Sequence, residues 1–120
     1  MSSASTETRA LLHRAYDAFN ARDVDRVLAA LAPEVHWPNG WEGGFVEGHD
    51  EVRDYWRRQW AEIDPHVEPK QMEERGDGTV AVRVHQVVRD LDGNQIADNE
   101  VIHVYRFENG LVVEMRIEEA

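Results

Sequence analysis

The sequence predicts an α+β fold in which helices pack on one face of an antiparallel sheet. Three observations carry this prediction. Up to Ile63 the apolar residues recur at helical spacing. From His66 onward, runs rich in Val, Ile and Tyr are divided by glycine turns. Helices followed by strands is the order of an α+β chain, because βαβ units would interleave the two patterns. Length is the third observation: 120 residues make one domain, taken as 1–120, and leave no room for a second.

The first helix is expected over about Thr6 to Ala21, where Leu11, Leu12, Ala15, Tyr16 and Phe19 share a face. The residues before it are polar and lack the apolar core of a secretory signal; 1–5 are expected to be a frayed lead-in. Asp23 is a good N-cap for a second helix with Val24, Val27, Leu28 and Leu31 inward, and Pro33 stops that helix. Glu34 to Trp37 reads as a short extended piece, and Pro38 to Gly48 as a glycine-rich loop. In the third helix Val52, Tyr55, Trp56, Gln59, Trp60 and Ile63 fall at helical spacing, and Asp64-Pro65 ends the run. The strands are Val80 to Asp90, Ile96 to Phe107 and Leu111 to Glu118. Their turns are Gly76-Asp77-Gly78, Asp92-Gly93 and Glu108-Asn109-Gly110.

Turn chemistry sets the register. A two-residue turn at Asp92-Gly93 pairs Leu91 with Asn94, Gln86 with Asn99, Val84 with Val101, Val82 with His103 and Val80 with Tyr105. That apolar face turns inward. Arg83, His85, Arg89, Glu100, Ile102 and Arg106 then lie outside, with His85 facing Glu100. In the last hairpin a one-residue slip would exchange core for solvent. Burying Val113, Met115 and Ile117 costs far less than burying Glu114 and Arg116. A three-residue loop with Gly110 left-handed is therefore expected, with His103 opposite Met115 and Tyr105 opposite Val113. In the strand before Val80, burial cost favours Met72 inward, with Gln71 and Glu73 as the alternative.

Composition narrows the function. Lys and Arg total 13 against 24 Asp and Glu, a net charge of -11. That field repels nucleic-acid phosphates and anionic membrane surfaces, so neither is an expected partner. No apolar run is long enough to span a membrane. With 42% hydrophobic residues the chain can sustain a core. It has no cysteine, which removes disulfides, thiolate metal sites and cysteine nucleophiles, and fits a reducing, cytoplasmic location.

The stretches "AYDAFNARDVDRVLAALAPEVHWPNG", "GHDEVRDYW" and "VIHVYRFENGLVVEMRIE" resemble the nuclear-transport-factor-two-like superfamily, which includes SnoaL-like polyketide cyclases and ketosteroid isomerases. The resemblance covers nearly the whole chain as a pattern of helix lengths, turns and apolar positions. It implies a cone: a strongly curved antiparallel sheet around three N-terminal helices, a cystatin-like or ketosteroid-isomerase-like barrel open at one end. Ketosteroid isomerases use a tyrosine on the first helix, an aspartate base on the following extended piece and a second aspartate in the penultimate strand. Aligned through "FNARD", the tyrosine position falls on Ala15, beside Tyr16. The base position falls on Asn39, or on Trp37 if the proline is matched. The second aspartate matches His103. No carboxylate stands where that family places its base.

The remaining chemistry is limited. Ser2, Ser3 and Ser5 are the only serines, and no GxSxG elbow occurs. Lys70, the sole lysine, reads as a solvated strand residue. His13, His36, His49, His66, His85 and His103 show no metal-ligand spacing, so no metal or other cofactor is expected. Gly40-Trp41-Glu42-Gly43-Gly44 lacks the GK[ST] of a phosphate loop and reads as a segment near a pocket mouth. Acid–base chemistry or plain binding is left. The expected pocket comprises Tyr16, Phe19, Trp37, Asn39, Tyr55, Trp56, Trp60, Val82, Val84, Gln86, Asn99, Val101, Tyr105 and Met115, and it takes a small apolar or aromatic molecule. His103 is the one catalytic candidate: desolvation keeps its imidazole neutral, with one nitrogen to donate and one to accept. A structural histidine bonded to Tyr16, Tyr55 or a tryptophan is the alternative. Ile102, Val104 and Val112 among the outer charges predict a homodimer through the outer sheet face.

Overall fold

The computed structural model describes residues 6–40 and 42–120, so the expectations for the 1–5 lead-in and for Trp41 lie outside the described residues. The elements run α1 (Thr6–Asn20), α2 (Val24–Leu28), β1 (Leu31–Pro38), β2 (Phe45–Glu47), α3 (Gly48–Trp60), β3 (Ile63–Glu74), β4 (Val80–Asp90), β5 (Gln95–Glu108) and β6 (Leu111–Glu119). The strands form one six-stranded sheet ordered β2-β1-β6-β5-β4-β3. Helix α3 touches β1 and β2 at one edge and β3 at the other, which only a strongly curved sheet allows. The architecture is the expected α+β cone, open between β2 and β3 rather than closed into a barrel. Its core joins Leu12, Tyr16, Val27, Val52 and Trp56 of the helices to Val35, Val67, Met72, Val82, Val84 and Met115 of the sheet.

The sequence-based boundaries need revision between α2 and β3. Asp23 caps α2 as expected, its carboxylate accepting from Arg26 N at 3.3 Å. The helix ends at Leu28, and Leu31 begins a strand that pairs in parallel with β6 through Leu31 and Val112. This is the one parallel pair in an otherwise antiparallel sheet. Pro33 lies inside β1, not after a helix. It is tolerated because the β1–β6 ladder shifts register between Leu31 and His36. Part of the glycine-rich loop is strand: β2 pairs with His36–Pro38. Strand β3 starts at Ile63, directly after α3, and Pro65 and Pro69 are accommodated because β3 is an edge.

The β4–β5 register is as predicted from Val80–Tyr105 to Gln86–Asn99. The turn behind it differs. Asp90 N donates to Asn94 O at 2.8 Å and Gly93 has φ of 93°, so the loop holds three residues and Leu91 does not face Asn94. A bulge at Ile96, between the pairs Val88–Ala97 and Arg89–Gln95, restores the register. The β5–β6 turn is the reverse case. Asn109 and Gly110 both take positive φ, 53° and 80°, and close a two-residue turn pairing Glu108 with Leu111. A bulge at Val113 then pairs Tyr105 with Met115 and His103 with Ile117. The inward parity of Met115 and Ile117 is as expected, but the pairing is displaced by two residues. Val112, expected outside, turns in and is 1% exposed. Met72 faces inward opposite Val82, while Gln71 and Glu73 are exposed.

Candidate functional site

A cavity of about 520 Å³ opens between the helices and the concave side of the sheet. Leu12, Tyr16 and Phe19 of α1 form one wall, and Tyr55, Trp56 and Gln59 of α3 another. Trp37 of β1, Gln86 of β4, Val101, His103 and Tyr105 of β5, and Met115 and Ile117 of β6 close it on the sheet side. Among the described residues no Asp, Glu, Lys or Arg lines it. The aromatic rings interlock edge to face: Trp37 meets Trp56 at 5.6 Å and 89°, and Phe19 meets Trp56 at 5.6 Å and 79°.

One polar chain runs through this apolar wall. Tyr105 Oη donates to Tyr16 Oη at 2.7 Å, and Tyr16 Oη lies 2.8 Å from His103 Nδ1. All three residues are buried. Burial lowers the imidazole pKa from 6.5 to about 4, so the ring is neutral at pH 7. Burial, with Tyr105 alongside, raises that of Tyr16 well above 10, and burial raises that of Tyr105 as well, so both hydroxyls keep their protons. No hydrogen bond to His103 Nε2 occurs among the described residues, and the ring lines the cavity. The imidazole is thus half structural and half available: Nδ1 is held by Tyr16, and Nε2 is open to a ligand.

Of the expected pocket residues, Tyr16, Phe19, Trp37, Tyr55, Trp56, Gln86, Val101, Tyr105, Met115 and His103 line this cavity, and five do not. Val82 and Val84 point inward but are fully packed, with no surface left to touch a ligand. Trp60 lies behind Trp56, stacked on it at 6.0 Å, with the Arg22 guanidinium 5.1 Å from its ring centre. Asn99 is exposed and does not line the cavity, although its cross-strand partner Gln86 does. Asn39 is buried in the turn between β1 and β2. Its side chain accepts from Glu42 N at 2.7 Å and donates to Glu42 Oε1 at 3.0 Å. Arg58 clamps the same carboxylate with two bonds, at 3.0 and 2.8 Å. With Asn39 these bonds hold its pKa down at about 2.

The sequence reading missed Val112, turned in by the two-residue turn, Ile96, placed by a bulge, and Ile63, Pro65 and Val67, which belong to the early start of β3. Alternating apolar residues at Ile63, Pro65 and Val67 were a legible strand signal; the bulges had none. Elsewhere, His85 Nε2 bonds Asp98 at 2.7 Å rather than Glu100, which pairs with Arg83 at 3.1 Å. Lys70 is exposed beside Glu68. Among the described residues no group of three or more His, Asp or Glu is placed to hold a metal ion. No described helix is long and apolar enough to cross a membrane.

Comparison with known proteins gives a consistent picture. The family model for the SnoaL-like domain matches residues 12–115. An NTF2-like protein of unknown function from Burkholderia pseudomallei K96243 is 31% identical, with 97% of this chain and 92% of that one covered and a TM-score of 0.83. TerC, co-crystallised with polyporic acid, is 22% identical over 96% and 92% of the two chains, with a TM-score of 0.82. An LEH-like epoxide hydrolase from M. tuberculosis is 18% identical over 94% and 82%, with a TM-score of 0.77. Among curated proteins none matches.

Proposed function

The chain belongs to the SnoaL-like domain family, and within it we propose that this protein binds a small, largely apolar, ring-bearing molecule in the cone. The observation that carries the reading is the wall itself: an aromatic cavity of about 520 Å³, free of charged side chains among the described residues, with one imidazole nitrogen open to it. Cavities of about 300–1,000 Å³ with few polar groups are the usual form of small-molecule sites. An uncharged wall selects against ions, because an ion would lose its hydration without gaining a partner.

Trp37 and Trp56 line the cavity, so occupancy is expected to change tryptophan emission. Titration with uncharged aromatics of increasing ring number is expected to give saturable, one-site quenching. His103→Phe, which keeps the ring shape, is expected to weaken the best of them by about 1–3 kcal/mol if a buried bond is left unmade. Absence of saturable quenching across the series would dispose of the reading.

A second reading is a cofactor-independent acid–base enzyme, an isomerase, cyclase or hydratase, using His103. The open Nε2 favours it. The missing carboxylate weighs against it, since the amide of Asn39 is spent on Glu42. Hydrogen–deuterium exchange beside a carbonyl of a bound ligand, lost in His103→Phe, is the sign of proton transfer that would promote this reading.

A further inference from the structure

Resting on the reading of the cavity as a ligand site, we propose that Tyr16 is a positioning residue. It holds His103 as the tautomer protonated on Nε2, so the cavity selects uncharged ring ligands that present a hydrogen-bond acceptor.

Tyr16 and Tyr105 are each 5% exposed and His103 is 7% exposed, so each polar hydrogen needs an acceptor inside the protein or in the cavity. Tyr105 Oη donates to Tyr16 Oη. The proton of Tyr16 is then left for His103 Nδ1, 2.8 Å away. Were Nδ1 protonated instead, it would donate to the same Tyr16 oxygen, the Tyr16 proton would turn to Tyr105 Oη, and the Tyr105 proton would be the one left in need of an acceptor. Acceptor strength points the same way. An unprotonated imidazole nitrogen accepts better than a phenol oxygen, and a phenol donates better than an imidazole N–H. Accepting from Tyr105 polarises the Tyr16 hydroxyl and makes it a better donor still. With Nδ1 occupied as an acceptor, the ring proton sits on Nε2, the nitrogen left open.

The consequence is chemical selectivity. A carbonyl, ether, hydroxyl or ring-nitrogen lone pair can accept from Nε2–H, whereas a ligand whose one polar group is a pyrrole-type N–H meets another donor. Tyr105 acts on this nitrogen only through Tyr16 and supports it without being essential.

Two readouts test the proposal. Long-range nitrogen–proton NMR on the ligand-free protein reports the tautomer directly. The expected result is a protonated Nε2 in the wild type and in Tyr105→Phe, and loss of the single tautomer in Tyr16→Phe. A protonated Nδ1 in the wild type means that the hydroxyl chain runs the other way, and overturns the proposal. Binding is read with fluorenone, fluorene and carbazole, three flat tricyclic compounds that offer an acceptor, neither group and a donor, respectively. Fluorenone is expected to bind about fivefold more tightly than fluorene, the value of one buried hydrogen bond, and carbazole no better than fluorene. Tyr16→Phe is expected to shrink the fluorenone advantage. Equal binding of all three refutes the selectivity. Failure of all three to bind counts against the cavity as a ligand site, and the NMR result then decides the tautomer alone.

Discussion

Tyr16 Oη lies 2.8 Å from His103 Nδ1, a bond that ties α1 to β5 across 87 positions of sequence. With the Tyr105–Tyr16 bond it is a buried polar link between the helical layer and the middle of the sheet, so it should contribute measurably to stability. Tyr16→Phe leaves both Nδ1 and the Tyr105 hydroxyl without their partner and is expected to cost about 1–3 kcal/mol. His103→Phe should cost less, because the two hydroxyls still bond each other. Urea denaturation of both single variants and the double variant isolates the pair, and the expected coupling is about 1 kcal/mol. A coupling of zero would mean that the bond does not hold the layers together.

Asn39 is, with Trp37, one of the two positions onto which the resemblance to ketosteroid isomerases maps their carboxylate base, and its surroundings explain why an acid is unwelcome there. Its Nδ2 donates to Glu42 Oε1 at 3.0 Å. Asn39→Asp would set two carboxylate oxygens against each other in a turn whose residue 39 is buried, with Arg58 already engaged by Glu42. The variant is expected to melt several degrees lower and to gain no proton-transfer activity, since residue 39 does not line the cavity. Thermal melts across pH check this: the deficit should shrink in acid, where one carboxyl takes up a proton.

The outer face is less apolar than its sequence suggested. Val112 has turned inward, and Val104 is 1% exposed, lying between Ala81 and Arg116 on the neighbouring strands. Ile102 is left half-buried among Arg83, Arg106, Glu100 and Glu118. A homodimer through this face is still our proposal, with Ile102 at its apolar centre. Sedimentation at micromolar concentration should show a dimer, and Ile102→Asp a monomer that still binds in the cavity. A wild-type monomer is the outcome that removes the proposal.

How far the chain could be read without coordinates follows from which costs are local. Burying Arg116 or Glu114 is so unfavourable that the inward side of β6 was legible at Met115 and Ile117. The route was not. The loop at Leu91–Gly93 is one residue longer than expected and the turn at Asn109-Gly110 one shorter, and bulges at Ile96 and Val113 restore the parity. A bulge leaves no compositional mark when the inserted residue is as apolar as its neighbours. The β1–β6 pairing was equally hidden, because a parallel ladder is fixed by distant chain, not by a turn. In the site, the inward direction of His103 was legible from the Val82 pairing. Its partner was not: choosing between Tyr16 and Tyr55 needs the rotation of α1 against β5, which no local pattern encodes.

The buried imidazole also makes a prediction about acid. In the unfolded chain His103 should titrate near 6.5; in the folded protein burial lowers the value to about 4. Between these values the unfolded state binds the proton and the folded state does not. Stability therefore rises with pH through this window, is fully expressed above about 6.5, and is lost as pH falls toward 4. The gap is worth at most about 3 kcal/mol, of which about 2 should disappear between pH 7 and pH 4.5. Carboxylates also titrate near the lower end, so the wild-type curve alone does not isolate the histidine. His103→Phe does, because it keeps every carboxylate and removes only the imidazole. Urea midpoints at pH 7 and pH 4.5 are expected to fall further in the wild type than in His103→Phe. Parallel losses in the two proteins would mean that the folded state accepts a proton at His103 as readily as the unfolded chain does. The imidazole would then not be the neutral group on which both the binding and the tautomer arguments depend.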